Sequence, residues 1–281
     1  MTLTKEMASS QAVALLLFVG TVLTHCTLSR KNGGVVNKRD VGTAGNNTKQ
    51  QRGGGRVESL VNQFDPEIPI ARAVTPPSSW YIDPEFYDNE INAVFEKNWH
   101  PVGRVVQFEK IGSYLAGEIF GIQYAVIRDK HGILHSFYNT CRHHAAKILG
   151  TAANRLAPES TGCVRDLVCP YHGWHYGLDG KLLNAPKSDG CEMNKEENSL
   201  IKIKVEEWGP FVFINFDPDA ETLTGRWPEV HSRLQASGVD KLLFHSSRSY
   251  IVNCNWKVYV DNYLDGGYHV PVLHKVGFAA V

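Results

Sequence analysis

Two short segments each combine one cysteine with one histidine at a spacing suited to metal binding. Cys141 is followed by His143, and Cys169 is followed by His172. A thiolate and an imidazole on each of two tight loops supply two sulfur and two nitrogen donors. In a Rieske-type [2Fe–2S] centre the two cysteines bind one iron and the two histidines bind the other. The pattern therefore predicts such a cluster, and with it a protein that transfers single electrons.

The same ligand types also occur in structural zinc sites, which are the main alternative. Zinc fingers normally place both cysteines in one pair and both histidines in the other. Here each segment has one of each, which favours the iron–sulfur interpretation. His144 would replace His143 only by breaking the cysteine–histidine spacing, and Cys163 has no histidine after it, so we interpret Cys163 as a loop residue. Tyr171 and Trp174 are expected to shield the cluster.

A second group of candidate ligands lies near the end of the chain. His269 and His274 are five positions apart and follow Asp265, which precedes two glycines. Two histidines and a carboxylate form the iron site of non-haem Fe(II) oxygenases, which leaves positions open for O₂ and substrate. Two histidines this close are more often incidental than ligands, and Asp265 by itself is equally an ordinary turn residue. The pattern alone is therefore weak evidence for a second iron.

Taken together, these motifs resemble the Rieske non-haem iron oxygenase family. The resemblance extends from about Pro76 to the end of the chain. It rests on six segments, namely Pro76–Tyr81, Asp83–Tyr87, Cys169–Trp174, Trp208–Val212, Asn255–Lys257 and Asp261–Asp265. The last of these directly precedes the second histidine pair, so the resemblance strengthens the interpretation of that pair as iron ligands.

The resemblance implies a ferredoxin-dependent monooxygenase with a [2Fe–2S] cluster and a mononuclear Fe(II). His269 and His274 would bind the mononuclear iron, and Asp265 would bridge the electron path between cluster and iron. The implied partners are reduced ferredoxin, O₂ and a small-molecule substrate, in a homotrimer. The segments are most similar to plant members that hydroxylate choline to betaine aldehyde hydrate for glycine betaine biosynthesis. Choline is implied by this likeness alone, and other quaternary-ammonium or aromatic substrates stay open.

The spacing between the two cluster segments departs from the family pattern. His143 and Cys169 are separated by 25 residues, more than the family usually has. We expect the additional residues in a surface loop over Thr151–Gly162, because a longer loop costs little when its ends stay in place.

The end of the chain departs from the family pattern as well. No acidic residue follows His274 in the sequence, so the carboxylate ligand that the family places downstream is missing from this chain. Asp265 and Asp261 are candidates to replace it, but the family pattern supports neither. We therefore expect a fragment or a truncated oxygenase, with a Rieske electron carrier or an inactive product as the alternative.

The elements that position these segments predict an α+β fold. Asp83 and Pro84 suit a helix start, and Tyr87, Ile91 and Phe95 recur at helical spacing, which predicts a helix ending near Trp99. Strands are predicted at Gln123–Arg128, Ile133–Tyr138 and Ser249–Cys254 and within Val168–Tyr176 and Trp208–Phe216, and a helix at Pro228–Gly238. We divide the chain into a leader (1–56), a helical lead-in (57–98), an all-β Rieske domain (99–217) and the start of a helix-grip, START-like catalytic domain (218–281).

The first 56 residues differ in composition from the rest. The apolar run Ala12–Leu23 is too short to span a bilayer, and it is followed by a basic, acid-poor stretch, Ser29–Arg56. This composition favours an organelle transit peptide over a secretory signal, with a disordered linker as the alternative. The resemblance implies the chloroplast stroma as the location, with secretion or another organelle as the alternative. Six cysteines in 281 residues do not indicate a disulfide framework, and a formal net charge of zero gives no support for nucleic-acid binding.

Overall fold

The structure is a computed structural model that describes residues 54–150, 160–243, 245 and 250–264. These residues separate into two compact units. One unit comprises the described residues between 94 and 250, and the other comprises residues 54–93 together with residues 251–264. With helices and an antiparallel sheet, the fold is α+β, as predicted.

The larger unit is built on a seven-stranded sheet with the order β1-β10-β9-β4-β3-β2-β5. All neighbouring strands in this sheet are antiparallel. Its strands are β1 (His100–Arg104), β2 (Ser113–Ile119), β3 (Ile122–Arg128), β4 (Leu134–Tyr138), β5 (Ser160–Cys163), β9 (Lys202–Trp208) and β10 (Phe211–Asn215). A second sheet of three short strands consists of β6 (Leu167–Val168), β7 (His175–Tyr176) and β8 (Leu182–Asn184).

The β3–β4 hairpin confirms the strand prediction around residues 123–138. The Asp129 carboxylate accepts hydrogen bonds from the backbone N–H groups of His131 and Ile133, both within 2.9 Å. Gly132 adopts a φ of 79°, which is readily accessible only to glycine. An aspartate that binds the backbone two residues on is a standard way to fix a turn, so this hairpin was readable from local chemistry.

Strand β5 corrects the prediction that the additional residues between the cluster segments form only a loop. Residues 151–159 lie outside the described residues, but Ser160–Cys163 pair with the free edge of β2, from Ser113↔Cys163 to Ala116↔Ser160. Cys163 is therefore a strand residue and not a loop residue. The physical reason is that an exposed strand edge offers unpaired backbone groups, which any nearby extended segment can satisfy.

The core of the larger unit has two parts that bear on the candidate site. One part packs against the three-stranded sheet and contains both Cys141 and Cys169, together with Leu167, Tyr176 and Leu182. The other part consists mainly of side chains from strands of the large sheet. Its fully buried members include Phe108, Leu115, Tyr124, Val126, Val212 and Ile214. The predicted cysteine ligands are thus anchored in the hydrophobic core.

Two helices follow the large sheet, α4 (Leu223–Arg226) and α5 (Pro228–Ser237). The latter confirms the predicted helix at residues 228–238. Pro228 occupies its first turn, and Gly238 ends it with a φ of 69°. Leu223 and Leu234 pack against Trp99, Trp208 and Phe213.

The smaller unit contains α1 (Gly54–Val61), α2 (Ser79–Ile82), α3 (Pro84–Ala93) and α6 (Trp256–Leu264). Helix α3 begins as predicted, because the Asp83 carboxylate accepts from the backbone N–H groups of Glu85 and Phe86. It ends earlier than predicted, at Ala93, and the next regular element is a separate 3₁₀ turn at Phe95–Lys97.

The predicted strand at Ser249–Cys254 was wrong for its described part, because residues 250–254 form no strand. Tyr250 and Ile251 are largely exposed. A β-rich composition makes a strand only where a partner edge pairs with it, and none pairs with residues 250–254. None of the helices in the described part of the chain has the length and hydropathy needed to cross a lipid bilayer.

Candidate functional site

The two predicted cluster loops have the same backbone design, which their sequences do not reveal. In the first loop, the N–H of Ala145 donates to the carbonyl of Cys141 (2.9 Å), and the N–H of Cys141 donates to the carbonyl of Ala146 (2.8 Å). In the second, Gly173 donates to Cys169 (3.0 Å), and Cys169 donates to Trp174 (2.8 Å). Each cysteine is therefore held at both its backbone groups by residues four and five positions later.

Both loops turn back through a residue with positive φ at the same position. Ala145 has a φ of 57° and Gly173 a φ of 71°. Glycine adopts this conformation without strain, whereas an alanine in it is uncommon. The glycine at position 173 is explained by this turn. Ala145 was missed, because nothing in its residue type indicates a left-handed conformation.

The two ends of the first loop are also held together by Asn139, which is fully buried. Its side-chain amide donates to the carbonyl of Leu149, and its amide oxygen accepts from the N–H of Leu149, each at 2.9 Å. This pair of hydrogen bonds ties the end of β4 to the chain on the far side of the loop. It holds Cys141 and His143 on a rigid base, which a metal site requires.

The four predicted ligands converge, with the thiols inside and the imidazoles outside. Cys141 and Cys169 are each only 3% exposed and belong to the same buried cluster of side chains. The ring centroids of His143 and His172 are 4.9 Å apart, and both side chains are exposed. Two buried sulfurs beside two surface nitrogens fit a two-iron cluster with one iron in the protein interior and one facing solvent.

Aromatic rings cover both sides of the imidazole pair. The ring of His143 stacks on Trp174 with a centroid distance of 4.8 Å and an interplanar angle of 4°. The ring of His172 lies against Tyr171 at 3.8 Å. These contacts restrict the orientation of each imidazole. Trp174 is buried and Tyr171 is exposed, and shielding of a cluster by these two rings stays a prediction.

Tyr176 is a site residue that the sequence reasoning did not identify. Its hydroxyl lies 3.2 Å from the Cys141 sulfur and accepts a hydrogen bond from the N–H of Arg142 at 3.1 Å. Burial raises the pKa of the Cys141 thiol, and the hydrogen bond from Tyr176 acts in the opposite direction. In the sequence, the only feature that pointed to Tyr176 was its position two residues after the second loop. Its burial in a strand is seen only in the structure.

The pKa of the His143 imidazole is lowered. Desolvation contributes most, and the neighbouring imidazoles of His144 and His172 contribute in the same direction. A neutral imidazole is the form that binds a metal, so this environment favours the ligand state. His144, which the spacing argument set aside, lies beside the predicted ligands: its ring centroid is 3.9 Å from that of His143 and 5.2 Å from that of His172.

The predicted residues of the second iron site, Asp265, His269 and His274, lie outside the described residues. Helix α6, which directly precedes them in sequence, is described. Asp261, the other candidate carboxylate, accepts a hydrogen bond from the Tyr81 hydroxyl at 2.7 Å. This contact is the main reason that the pKa of Tyr81 is raised to about 12. Asp261 is therefore already engaged in a structural contact within the smaller unit.

Helix α6 is fixed at three further points within its unit. The Asn255 side chain accepts from the N–H of Lys257 at the helix start and donates to the carbonyl of Tyr81 at 3.1 Å. The Lys257 ammonium donates to both carboxylate oxygens of Glu90, at 2.7 and 2.8 Å. Trp256 donates to the same carboxylate at 3.1 Å. These contacts explain the Asn-Trp-Lys sequence, in which Asn255 caps the helix and Trp256 and Lys257 form its first turn.

Comparison with known proteins agrees with the geometry. Residues 98–202 match the Rieske [2Fe-2S] domain family, and residues 239–280 match the ring-hydroxylating alpha subunit catalytic domain family. The chain carries a Rieske [2Fe-2S] domain and a segment of the ring-hydroxylating alpha subunit catalytic domain. The chloroplastic choline monooxygenase of Arabidopsis thaliana is 40% identical over 235 residues, covering 78% of this chain and 53% of that protein. The carnitine monooxygenase oxygenase subunit of Acinetobacter pittii is 34% identical, covering 79% and 58%.

Among solved structures, the quaternary ammonium Rieske monooxygenase CntA, bound to an inhibitor, is similar with a TM-score of 0.65 and 32% identity. The match covers 74% of this chain and 56% of that one. The chain spans about half the length of the curated relatives it matches. The two family matches confirm the resemblance to Rieske oxygenases that the sequence analysis drew from the loops and the flanking segments.

Proposed function

We propose that this chain is the cluster-bearing part of a ferredoxin-dependent monooxygenase that hydroxylates choline to betaine aldehyde hydrate, a step of glycine betaine biosynthesis. The observation that carries this proposal is the pair of matched loops, with buried thiols and exposed imidazoles, in a chain whose relatives are named as choline and carnitine monooxygenases. Both of those substrates carry a quaternary ammonium group, which supports the same substrate class here.

In this proposal the four loop residues hold a [2Fe–2S] cluster. Cys141 and Cys169 would bind one iron, and His143 and His172 would bind the other. When bound, the cluster supplies reversible one-electron storage at a higher potential than an all-cysteine cluster, because neutral imidazoles replace two thiolates. The protein's own contribution is to hold the imidazoles at the surface, where an electron donor has access, and to keep the thiols dry.

The second iron is proposed at His269 and His274, with Asp265 as the residue that bridges the electron path. The match of residues 239–280 to the ring-hydroxylating catalytic domain supports this assignment. The proposed partners are reduced ferredoxin and O₂. The proposed assembly is a homotrimer. The chloroplast is the proposed location, because the plant relatives are named as chloroplastic and the leader is basic and acid-poor.

Turnover is the direct test of this proposal. Purified protein is supplied with reduced ferredoxin, O₂ and choline, with carnitine as a comparison substrate, and the oxidised product is measured by mass spectrometry. We expect O₂-dependent oxidation of choline, with one oxygen atom in the product and the other reduced to water by two electrons and two protons. Oxidation of carnitine but not choline would overturn the substrate assignment.

Iron content separates the oxygenase from the alternative of an electron carrier. The oxygenase requires about three iron atoms per chain, and a carrier about two. Cys169→Ser should abolish the visible absorbance and the EPR signal of the reduced protein. Replacing Cys191, an exposed cysteine that belongs to neither loop, by serine (Cys191→Ser) should leave both unchanged. About two irons without turnover would favour the carrier, and a colourless zinc protein would contradict the cluster itself.

A further inference from the structure

Three exposed imidazoles lie together at the tip of the two loops. His143, His144 and His172 each have one ring nitrogen that lies within 4.8 Å of the corresponding nitrogens of the other two. In the described part of the chain this is the one such group of three or more histidine, cysteine or acidic side chains. A [2Fe–2S] cluster uses only two of these imidazoles, so His144 is left over.

The matched backbone design gives His144 a defined place. It is the third residue after Cys141, as His172 is the third residue after Cys169. Because the two loops share the same pattern of hydrogen bonds, His144 and His172 occupy equivalent backbone positions. His143 occupies the position equivalent to Tyr171. The imidazole of His144 thus lies on the same exposed side of its loop as a predicted ligand does on the other.

We propose that, in the chain without its cluster, His143, His144 and His172 bind a zinc ion, and that this zinc blocks cluster assembly. The inference goes beyond the proposed function, since it concerns the chain before iron and sulfide are incorporated. Zinc and the cluster exclude one another, because both require His143 and His172. His144 is the residue that adds the third nitrogen and makes the competing site.

The geometry is close to what zinc requires. Zinc–nitrogen bonds of 2.0–2.1 Å in a tetrahedral site place the ligand nitrogens about 3.4 Å apart. The three nitrogens lie within 4.8 Å of one another, and all three side chains are exposed. Small side-chain rotations therefore suffice to bring the nitrogens to the spacing that zinc requires. A fourth position stays open to water, as it does in three-histidine zinc sites.

The two cysteines are the alternative zinc ligands, and the structure favours the imidazoles over them. Cys141 and Cys169 are buried in the core, whereas the imidazoles are reached directly from solvent. A site that used both thiols would need zinc to enter the core. The two sites differ in a measurable way, because sulfur ligands give a charge-transfer absorption that nitrogen ligands lack.

The first experiment is a metal titration of the full chain without iron or sulfide. Zinc affinity is measured by competition with a chromophoric chelator, and cobalt(II) is used as the absorbing substitute. We expect a cobalt spectrum without sulfur charge transfer, and a binding stoichiometry that is one metal ion per chain lower in His144→Ala than in the parent. His144→Ala should weaken zinc binding by at least about tenfold, and His131→Ala, an exposed histidine in the β3–β4 turn, should not change it.

The second experiment works whether or not the cluster-free chain is fully folded. Cluster reconstitution from iron and sulfide is followed by acid-labile sulfide and EPR, with and without equimolar zinc. We expect zinc to reduce the cluster yield of the parent chain and to have much less effect on His144→Ala. Without zinc, His144→Ala should take up the cluster normally.

Three results would overturn the proposal. They are equal zinc affinity in His144→Ala and parent, a cobalt spectrum with sulfur charge transfer that disappears in Cys141→Ser, and equal zinc inhibition of reconstitution in both chains. Failure of choline turnover would leave this inference standing, because none of its measurements depends on substrate.

Discussion

The hydroxyl of Tyr176 lies 3.2 Å from the sulfur of Cys141. The same oxygen accepts a hydrogen bond from the N–H of Arg142, so its own hydrogen is free to point at the sulfur. Tyr176 is fully buried in β7 of the small sheet, and Cys141 is in the facing loop. The contact therefore joins the two halves of the candidate site and places a hydrogen-bond donor on one predicted cluster ligand.

Replacing this donor is expected to lower the reduction potential of the cluster. A hydrogen bond to a thiolate sulfur withdraws electron density and favours the reduced, more negative cluster. Tyr176→Phe keeps the buried ring and removes only the hydroxyl. Since a hydrogen bond of this kind differs between redox states by about 1 kcal/mol, the potential should fall by some tens of millivolts.

An EPR-monitored redox titration measures this shift. The matched control is Tyr171→Phe, which removes a hydroxyl from the exposed ring next to His172. An unchanged potential in Tyr176→Phe, with the cluster fully loaded, would show that the hydroxyl does not donate to the sulfur.

The buried ion pair between Glu90 and Lys257 predicts a large effect on stability. Glu90 is 6% exposed and Lys257 is 9% exposed, and burial lowers the pKa of the lysine ammonium despite its carboxylate partner. Lys257→Met leaves the Glu90 carboxylate buried without a cation, which should cost about 3–5 kcal/mol. The double variant with Glu90→Gln should recover part of this loss, because no unpaired charge stays behind.

Denaturant unfolding of the parent, both single variants and the double variant measures this coupling. An exposed ion pair, Lys97 with Asp217, provides the contrast, since Lys97→Met should change the free energy of unfolding by less than about 1 kcal/mol. Equal effects at the two sites would contradict the view that burial makes the Glu90 pair important.

His100 predicts a specific pH dependence of stability. Its imidazole is buried among Phe95, Phe120 and Phe216 and donates to the carbonyl of Phe95 at 2.6 Å. Burial lowers its pKa below the usual value of 6.5. Below about pH 6.5 the unfolded chain therefore binds a proton that the folded chain does not, so the free energy of unfolding falls as the pH falls.

The slope contributed by this one group is at most about 1.4 kcal/mol per pH unit. Urea unfolding between pH 8 and pH 5.5 measures it in the parent and in His100→Gln, which retains a donor for the Phe95 carbonyl. The difference in stability between the two chains should be constant above pH 7 and should change in favour of His100→Gln at lower pH. Parallel curves across the range would disprove a buried neutral imidazole.

Gly112 and Gly121 form a pair in which the same substitution should have different costs. Both have positive φ, 78° and 80°, so alanine is strained at either position. A Cβ at Gly112 would lie 1.9 Å from the carbonyl oxygen of Val164, whereas one at Gly121 meets nothing within 4 Å. Gly121→Ala should cost about 1 kcal/mol, and Gly112→Ala clearly more.

Thermal unfolding and cluster content test this pair. Val164 lies between β5 and β6, shortly before the Cys169 loop, so displacement of its backbone in Gly112→Ala should also reduce cluster loading. Gly121→Ala, in the tip of the β2–β3 hairpin, should load the cluster as the parent does.

Local chemistry made several features readable from sequence alone. The four proposed cluster ligands were predicted by residue type and spacing, and the structure brings the two loops that carry them together. The start of α3 at Asp83, the Asp129 turn and the end of α5 at Gly238 were predicted because each depends on hydrogen bonds or φ values within a few residues. Such interactions are fixed by neighbours in the sequence.

Contacts between distant residues were decided only by the tertiary structure. The Tyr176–Cys141 contact joins residues 35 positions apart, the Glu90–Lys257 pair joins residues 167 apart, and β5 exists only because β2 offers a free edge. The place of His144 beside His143 and His172 likewise required the two loops to be superimposable in their backbones. Spacing along the chain determines which atoms are available for chemistry, but the packing of separate segments determines which of them meet.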